Sequence, residues 1–396
     1  MDLILIMPSP NEEMWPLNSR PIALYNFLGK PLIEHVIEKI RKNDAIKNIF
    51  LLYPERFEDY MKKLSSSSQI LKLPKNTHNL IDGILQASEY IRSEYAIFAY
   101  AHDIYFADFI SKKKTFPHTD FGIFTKNSGK KFSIEDLLPI IWLSKTRIEK
   151  IYSFLDDIST ESSTKKSIYS IFQRFDQEKI SIISIGRNYL EVEYPWNLLD
   201  VMMFLLREID KTIIHETAKI DESSKIVGPA IIDSGVRIFR NSVIVGPTYV
   251  GKGSIIGDHV LIRECNIESN CLVGAFMEVA RSLFQKNMET HSGYIGDSIF
   301  DCFSHTGAGF ITANLRLDRK NIFVKLGNKR IDTKRMKLGV ISGMRSNYGV
   351  NASTMPGTLV GNNTVVGPGT VLFENVPDNT TVYVKQMIIK KESRMK

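Results

Sequence analysis

Ile214, Ile220, Ile226, Ile232, Ile238, Ile244, Val250, Ile256 and Ile262 stand six residues apart without a break. Nine branched aliphatic residues in one fixed register are too many for chance, so the repeat is real. A hexapeptide period predicts a parallel β-helix, in which each six-residue stretch supplies a short strand and a turn. The register resumes after a one-residue slip at Ile267, Val273 and Val279, and again at Val350, Val360 and Val366, with glycine beside many of these positions. Glycine permits sharp corners, and stacked coils satisfy one another's backbone groups.

The repeat occupies only the second half of a chain of 396 residues, which is long enough for two independent cores. Before it, short β-rich runs at Leu3 to Ile6, Ile49 to Tyr53 and Ala96 to Tyr100 alternate with helical stretches at Pro31 to Lys42 and Leu80 to Arg92, the rhythm of an α/β sheet. The section from Phe132 to Lys166, which ends in the polar run Ser159 to Lys166, reads as a solvated excursion from that sheet. Trp196 to Lys211 reads as one amphipathic helix that bridges the domains, with Leu198, Leu199, Met202, Met203, Leu205 and Leu206 as its apolar stripe. The expected division is therefore 1–205 and 206–396.

Charge narrows the partners. Lys and Arg outnumber Asp and Glu by 51 to 44, a net of +7. The stretch from Leu315 to Lys337, which interrupts the repeat, holds nine basic residues against Asp318 and Asp332, so it carries the same net excess by itself. No recognition helix or base-stacking module accompanies it, so phosphorylated small molecules are favoured over nucleic acid. Three cysteines without C-x-x-C spacing suggest neither a disulfide framework nor a cysteine zinc site, and no apolar run approaches a membrane span. A cytoplasmic protein without membrane contact is expected.

The repeat is interrupted by Thr290-His291-Ser292-Gly293-Tyr294-Ile295-Gly296-Asp297-Ser298 and then by Gly307-Ala308-Gly309-Phe310-Ile311-Thr312-Ala313-Asn314-Leu315-Arg316. This region closely resembles the acetyltransferase half of the bifunctional glucosamine-1-phosphate N-acetyltransferase / N-acetylglucosamine-1-phosphate uridylyltransferase family, archaeal type, whose pattern reads H-x-x-Y-x-G-D-S followed by G-A-G-x-I-T-A-N-x-R. The resemblance implies a left-handed β-helix, a homotrimer with the site between neighbours, and acetyl transfer from acetyl-CoA to the 2-amino group of a hexosamine 1-phosphate. Glucosamine-1-phosphate and galactosamine-1-phosphate are both open as acceptors in UDP-N-acetylhexosamine synthesis. It further implies His291 as general base, a task that suits an imidazole whose ordinary pKa lies near working pH. Tyr294, Asn314 and Lys320 fall on acceptor-sugar positions, Arg263 on a phosphate contact and Ala308 on a backbone contact to the thioester region. Two positions depart from the pattern: E-x-K-x-S is here Glu278-Val279-Ala280-Arg281-Ser282, with Arg281 one place beyond the missing lysine, and an asparagine is replaced by His305.

The first half resembles a sugar-1-phosphate nucleotidyltransferase of Rossmann-like α/β type. Ser19-Arg20-Pro21-Ile22-Ala23-Leu24 and Gly29-Lys30-Pro31-Leu32-Ile33-Glu34 follow that family's R-P-K-x-L and G-K-P-L-I-E. Its phosphate loop, L-A-A-G-x-G-x-R, is here Ile6-Met7-Pro8-Ser9-Pro10-Asn11-Glu12-Glu13, so prolines remove donors and Glu13 reverses the arginine's charge. The magnesium-binding aspartate implied by the resemblance falls on Asp103, and a second metal position reads Asn197. The expectation is a degenerate nucleotidyltransferase-like domain carrying an acetyltransferase β-helix, with Mg2+ required only if uridylyl transfer survives. A still-active nucleotidyltransferase and a catalytically silent regulatory or sugar-nucleotide-binding paralogue are the alternatives.

Overall fold

The computed structural model describes residues 1–64, 70–77, 79–116, 119–127, 133–151, 164–175, 180–186 and 188–391. They form two compact units. One comprises Met1–Glu12, Arg20–Asn26 and Lys30–Glu193; the other comprises Glu13–Ser19, Phe27–Gly29 and Tyr194–Lys396.

The first unit is a Rossmann-like sheet of seven strands in the spatial order Leu71–Pro74, Asn48–Tyr53, Asp2–Ile6, Tyr95–Tyr100, Leu137–Ser144, Phe121–Thr125 and Ile180–Ser184. Asp2–Ile6 lies between two parallel neighbours and every residue in it is buried, which is why Leu3 to Ile6 reads as an unbroken apolar run. Leu137–Ser144 runs antiparallel to both strands beside it. This corrects the reading of 132–166 as a solvated excursion. The run Leu-Leu-Pro-Ile-Ile-Trp-Leu-Ser sits in the middle of the sheet, and Lys145–Ile151 and Thr164–Arg174 are helices. The part of the polar run at 159–163 lies outside the described residues.

The second unit is a three-faced parallel β-helix, its faces built from eight, nine and eight short strands that pair with the coil above and below. The hexapeptide positions from Ile232 to Val279 point into one core, joined by Val360 and Val366, while Ile220 and Ile226 pack against its end. Val350 departs from the expected register. It is half exposed at a corner, and the core place in that coil belongs to Tyr348, which pairs with Val366 in the next. Aromatic and hydroxyl residues such as Phe284, Thr290, Phe300, Thr306 and Tyr348 fill the middle coils, so the aliphatic pattern lapses there while the coil continues. Helix Leu198–Leu206, preceded by a 3-10 turn at Pro195–Asn197, groups with this unit, whose main segment begins at Tyr194.

The basic interruption is a structured excursion. A bridge between Leu315 and Lys337 closes it, and Phe323–Leu326 pairs with Lys329–Asp332 as an antiparallel hairpin. Ile322, Val324 and Leu338 bury one side of it. Their packing partner is Gly357, where a Cβ would lie 2.6 Å from Ile322 Cγ2 and 3.2 Å from Val324 Cγ2.

Candidate functional site

Each coil turns from one face to the next at a corner whose residues stack in a row. One row is defined by equivalent backbone bonds from Gly257 to Val273, Gly274 to Thr290, His291 to Thr306, Gly307 to Tyr348, Gly349 to Val366 and Gly367 to Val382. At each of these glycines an added Cβ would come within 2.6 to 2.9 Å of the following coil. His291 alone in this stretch of the row carries a side chain, and it is exposed. Earlier in the same row Asp221 and Phe239 carry side chains, their N–H groups donating to Ile238 O and Ile256 O at 2.9 Å, so His291 is the one side chain among the glycines from Gly257 to Gly367.

Ala308 lies on the coil stacked directly over His291. Its neighbours make the connecting bonds, His291 N–H to Thr306 O at 3.1 Å and Gly309 N–H to Ser292 O at 2.9 Å. His305 stands edge-on to the His291 ring, with centroids 5.5 Å apart at 84°. No side-chain hydrogen bond to the His291 ring is found among the described residues. His291, His305 and Ala308 thus form one end of the site.

The other end begins a short strand away. Gly293–Gly296 turns Ile295 into the core and Tyr294 outward, and Glu278, Tyr294 and Ile311 stack in register across three coils. The Tyr294 hydroxyl oxygen accepts from Asn314 Nδ2 at 3.1 Å, and the same nitrogen donates to Asp297 Oδ2 at 2.6 Å. Gly296 makes this possible: a Cβ there would sit 2.3 Å from the Tyr294 hydroxyl and 2.6 Å from Asn314 Nδ2. Arg263 is in register with Ala280 on the next coil and pairs with Glu278. Arg281 turns outward at φ +47°, and its guanidinium grips Asp297 through Nε at 2.7 Å and Nη2 at 2.8 Å. That pairing raises the Arg281 pKa above its ordinary value. A step of one residue therefore does not remove Arg281 from the cluster; the left-handed corner swings it in.

Lys320 is not brought to either end. It is exposed on the basic excursion, where its backbone N–H donates to Asp318 Oδ1 at 3.2 Å. Several cations of that excursion have internal partners: Arg316 on Asp318, Arg335 on Asp200, Lys329 on Glu13, and Arg330 over the Phe323 ring. Glu13, expected to repel a triphosphate, has Lys329 as its neighbour at 3.4 Å.

Asp103 does not fit a metal-ligand role. Its carboxyl is buried at the start of helix Ile104–Lys112, where Oδ1 accepts from Phe106 N–H at 2.8 Å and Oδ2 accepts from the Tyr189 hydroxyl. Burial pushes its pKa up to about 7. Nearby Met7 N–H and Ser9 N–H donate to Leu52 O and Thr77 O at 2.9 and 3.3 Å, so these two phosphate-loop donors are already spent. Asn197 caps its own turn by accepting from Tyr194 N–H at 3.0 Å. No group of three or more His, Cys, Asp or Glu side chains able to hold a metal occurs among the described residues. No helix there is long and apolar enough to cross a membrane.

No family model matches the chain. It is homologous along almost its whole length to bifunctional proteins. It is 29% identical to the "Bifunctional protein GlmU" of Methanocaldococcus jannaschii, covering 98% of this chain and 99% of that one. It is 27% identical to the "Bifunctional sugar-1-phosphate nucleotidylyltransferase/acetyltransferase" of Sulfurisphaera tokodaii, covering 95% and 98%. Among solved structures, PerB from Caulobacter crescentus matches 52% of this chain and 69% of its own at 14% identity, with a TM-score of 0.16.

Proposed function

From this end-to-end homology with bifunctional sugar-phosphate transferases, we propose that the chain is a transferase that moves acetyl from acetyl-CoA to the 2-amino group of a hexosamine 1-phosphate. The observation that carries the reading is the placement of His291. Its imidazole emerges between two glycine corners, Gly274 on the coil before and Gly307 on the coil after, one four-residue strand from the Tyr294, Asn314 and Arg281 cluster. At ~3.3 Å per residue that strand spans about 10 Å, which an amino-sugar phosphate and an approaching thioester can bridge.

In this mechanism Arg263 and Arg281 hold the phosphate, for which a planar guanidinium is the better match, while Tyr294 and Asn314 address sugar hydroxyls. His291 takes the proton from the amine as its lone pair attacks the thioester carbonyl. The tetrahedral intermediate then collapses with loss of the coenzyme thiolate, and the proton passes to that sulfur. The Gly307 and Gly309 N–H groups are engaged by Tyr348 O and Ser292 O, so the Ala308 N–H is the donor at this corner left to meet the carbonyl oxygen as it gathers charge. Exposed Arg319, Lys325, Lys334 and Lys337, which have no ion-pair partner among the described residues, supply positive charge for coenzyme phosphates. As in other hexapeptide transferases, the working form is a homotrimer, and the protein is cytoplasmic.

The first unit, in the same reading, has lost uridylyl transfer. Its Asp103 is sealed by Tyr189, its loop donors are internally bonded and Glu13 stands in place of a cation. Two assays separate the possibilities. Thiol release with glucosamine-1-phosphate and galactosamine-1-phosphate is expected from the wild type and not from His291→Ala; equal release by both would remove His291 from the mechanism. Pyrophosphate release from UTP and N-acetylglucosamine-1-phosphate is expected to stay at the blank. Release that Asp103→Ala abolishes would restore the second activity.

A further inference from the structure

The corner opposite His291 carries a column of charge. Glu264, Arg281 and Asp297 occupy equivalent places on successive coils, joined by bonds from Arg281 N–H to Arg263 O at 2.8 Å and from Asp297 N–H to Ala280 O at 2.9 Å. All three adopt left-handed φ, at +54°, +47° and +50°, in a row where Gly228 and Gly357 also turn. Left-handed corners recur in this β-helix, in another row at Asn270, Asn287, Phe303, Arg345, Asn363 and Asn379, so the coil geometry itself holds these three residues in place.

We propose that Asp297 is a positioning residue that sets the polarity of the acceptor site. Its side chain is only 8% exposed and receives three N–H groups, two from Arg281 and one from Asn314. An ionised carboxylate only accepts. It therefore turns the Asn314 amide so that Nδ2 faces inward, toward Asp297 and the Tyr294 oxygen, and leaves the Asn314 carbonyl oxygen as an acceptor. Tyr294, having accepted from Asn314, keeps its O–H to donate. One buried carboxylate thus fixes an acceptor, a donor and a cation together, the set needed by a ligand with vicinal hydroxyls and a phosphate. The assignment rests on the acetyl-transfer reading for the identity of that ligand.

Calorimetric titration of the full-length chain with glucosamine-1-phosphate, and separately with coenzyme A, tests it without turnover. Asp297→Asn is expected to weaken the sugar phosphate by about tenfold or more, since charged hydrogen bonds are lost, and to leave coenzyme A within about twofold. Asn314→Ala should weaken the sugar phosphate selectively, and the double variant should be no worse than the weaker single, because the two act as a unit. If Asp297→Asn fails to fold, Asp297→Glu keeps the charge but displaces it, and the same selective loss is expected. Unchanged sugar-phosphate affinity in either variant, or equal loss of both ligands, overturns the assignment. A wild type that binds both ligands but releases no thiol removes the transferase reading and leaves Asp297 to be judged by these titrations. A wild type that binds no sugar phosphate overturns the assignment itself.

Discussion

A single methylene at the coil corners separates a turn that closes from one that does not. Gly274→Ala would place its Cβ 2.6 Å from Thr290 O and 2.8 Å from His291 Cα, both backbone atoms that cannot rotate away. The substitution is expected to lower the turnover number by displacing His291, and to cost about 1–3 kcal/mol of stability. His291→Ala should remove about 10²- to 10⁴-fold in turnover while leaving sugar-phosphate affinity nearly intact, the signature of a proton-transfer group. Comparing kcat with KM for both variants, alongside thermal melts, separates the two effects. Gly296→Ala meets the tips of Tyr294 and Asn314 at 2.3 and 2.6 Å instead, so its effect should fall on KM for the sugar with kcat and KM for acetyl-CoA little changed. In the sequence a motif surrounds His291, and the glycines beside it in the corner row are a second signal that motif reading passes over. Arg281 was not legible. Only its φ of +47° shows that a residue one step beyond the ladder position still reaches Asp297.

At the scale of elements, local pattern and tertiary use part company in two places. Leu137–Ser144 carries a strongly apolar run, yet its polar flanks hid it, and its place between two antiparallel partners follows from sheet pairing alone. The basic excursion reads as a charged loop, whereas its hairpin is pinned by Val324 and Ile322 on Gly357 and by Asn375 Nδ2 donating to Lys325 O at 2.6 Å. Val324→Asp is expected to detach the hairpin by burying an unpaired charge, seen as new proteolytic cleavage between 316 and 337 while the β-helix melts almost as before. Alanine at Arg319, Lys325 and Lys334 together leaves the buried side untouched. It should raise KM for acetyl-CoA, with an effect that shrinks as ionic strength rises. An unchanged KM at low salt would assign those cations to solvent.

For the molecule as a whole, pH is the simplest probe of the buried groups. Glu268 lies within the second unit, where Oε1 accepts from Asn266 Nδ2 at 2.9 Å and Gly29 N–H at 3.2 Å while Oε2 has no partner among the described residues; burial pushes its pKa up to about 7. Asp103 in the first unit is raised likewise to about 7. Both groups hold a proton in the folded state that the unfolded chain releases near pH 4. Their contribution is complete below that pH and is lost as pH rises toward 7. His102 acts oppositely: burial lowers it to about 4, so stability falls as pH drops from about 6.5 toward 4. Melting temperature should therefore decline from about pH 6 to pH 7 and level off above it, and Glu268→Gln should flatten part of that decline; an identical slope in the variant would rule out Glu268 as its source. The sequence by itself determined the coiled architecture, the two-unit plan and the motif around His291, because each is written in residues close along the chain or repeated at one period. Tertiary structure alone decided the Asp297 cluster, the sealing of Asp103 by Tyr189 and the anchoring of the basic hairpin. These join residues 16, 17, 86 and 50 positions apart, whose meeting depends on how coils stack and strands pair.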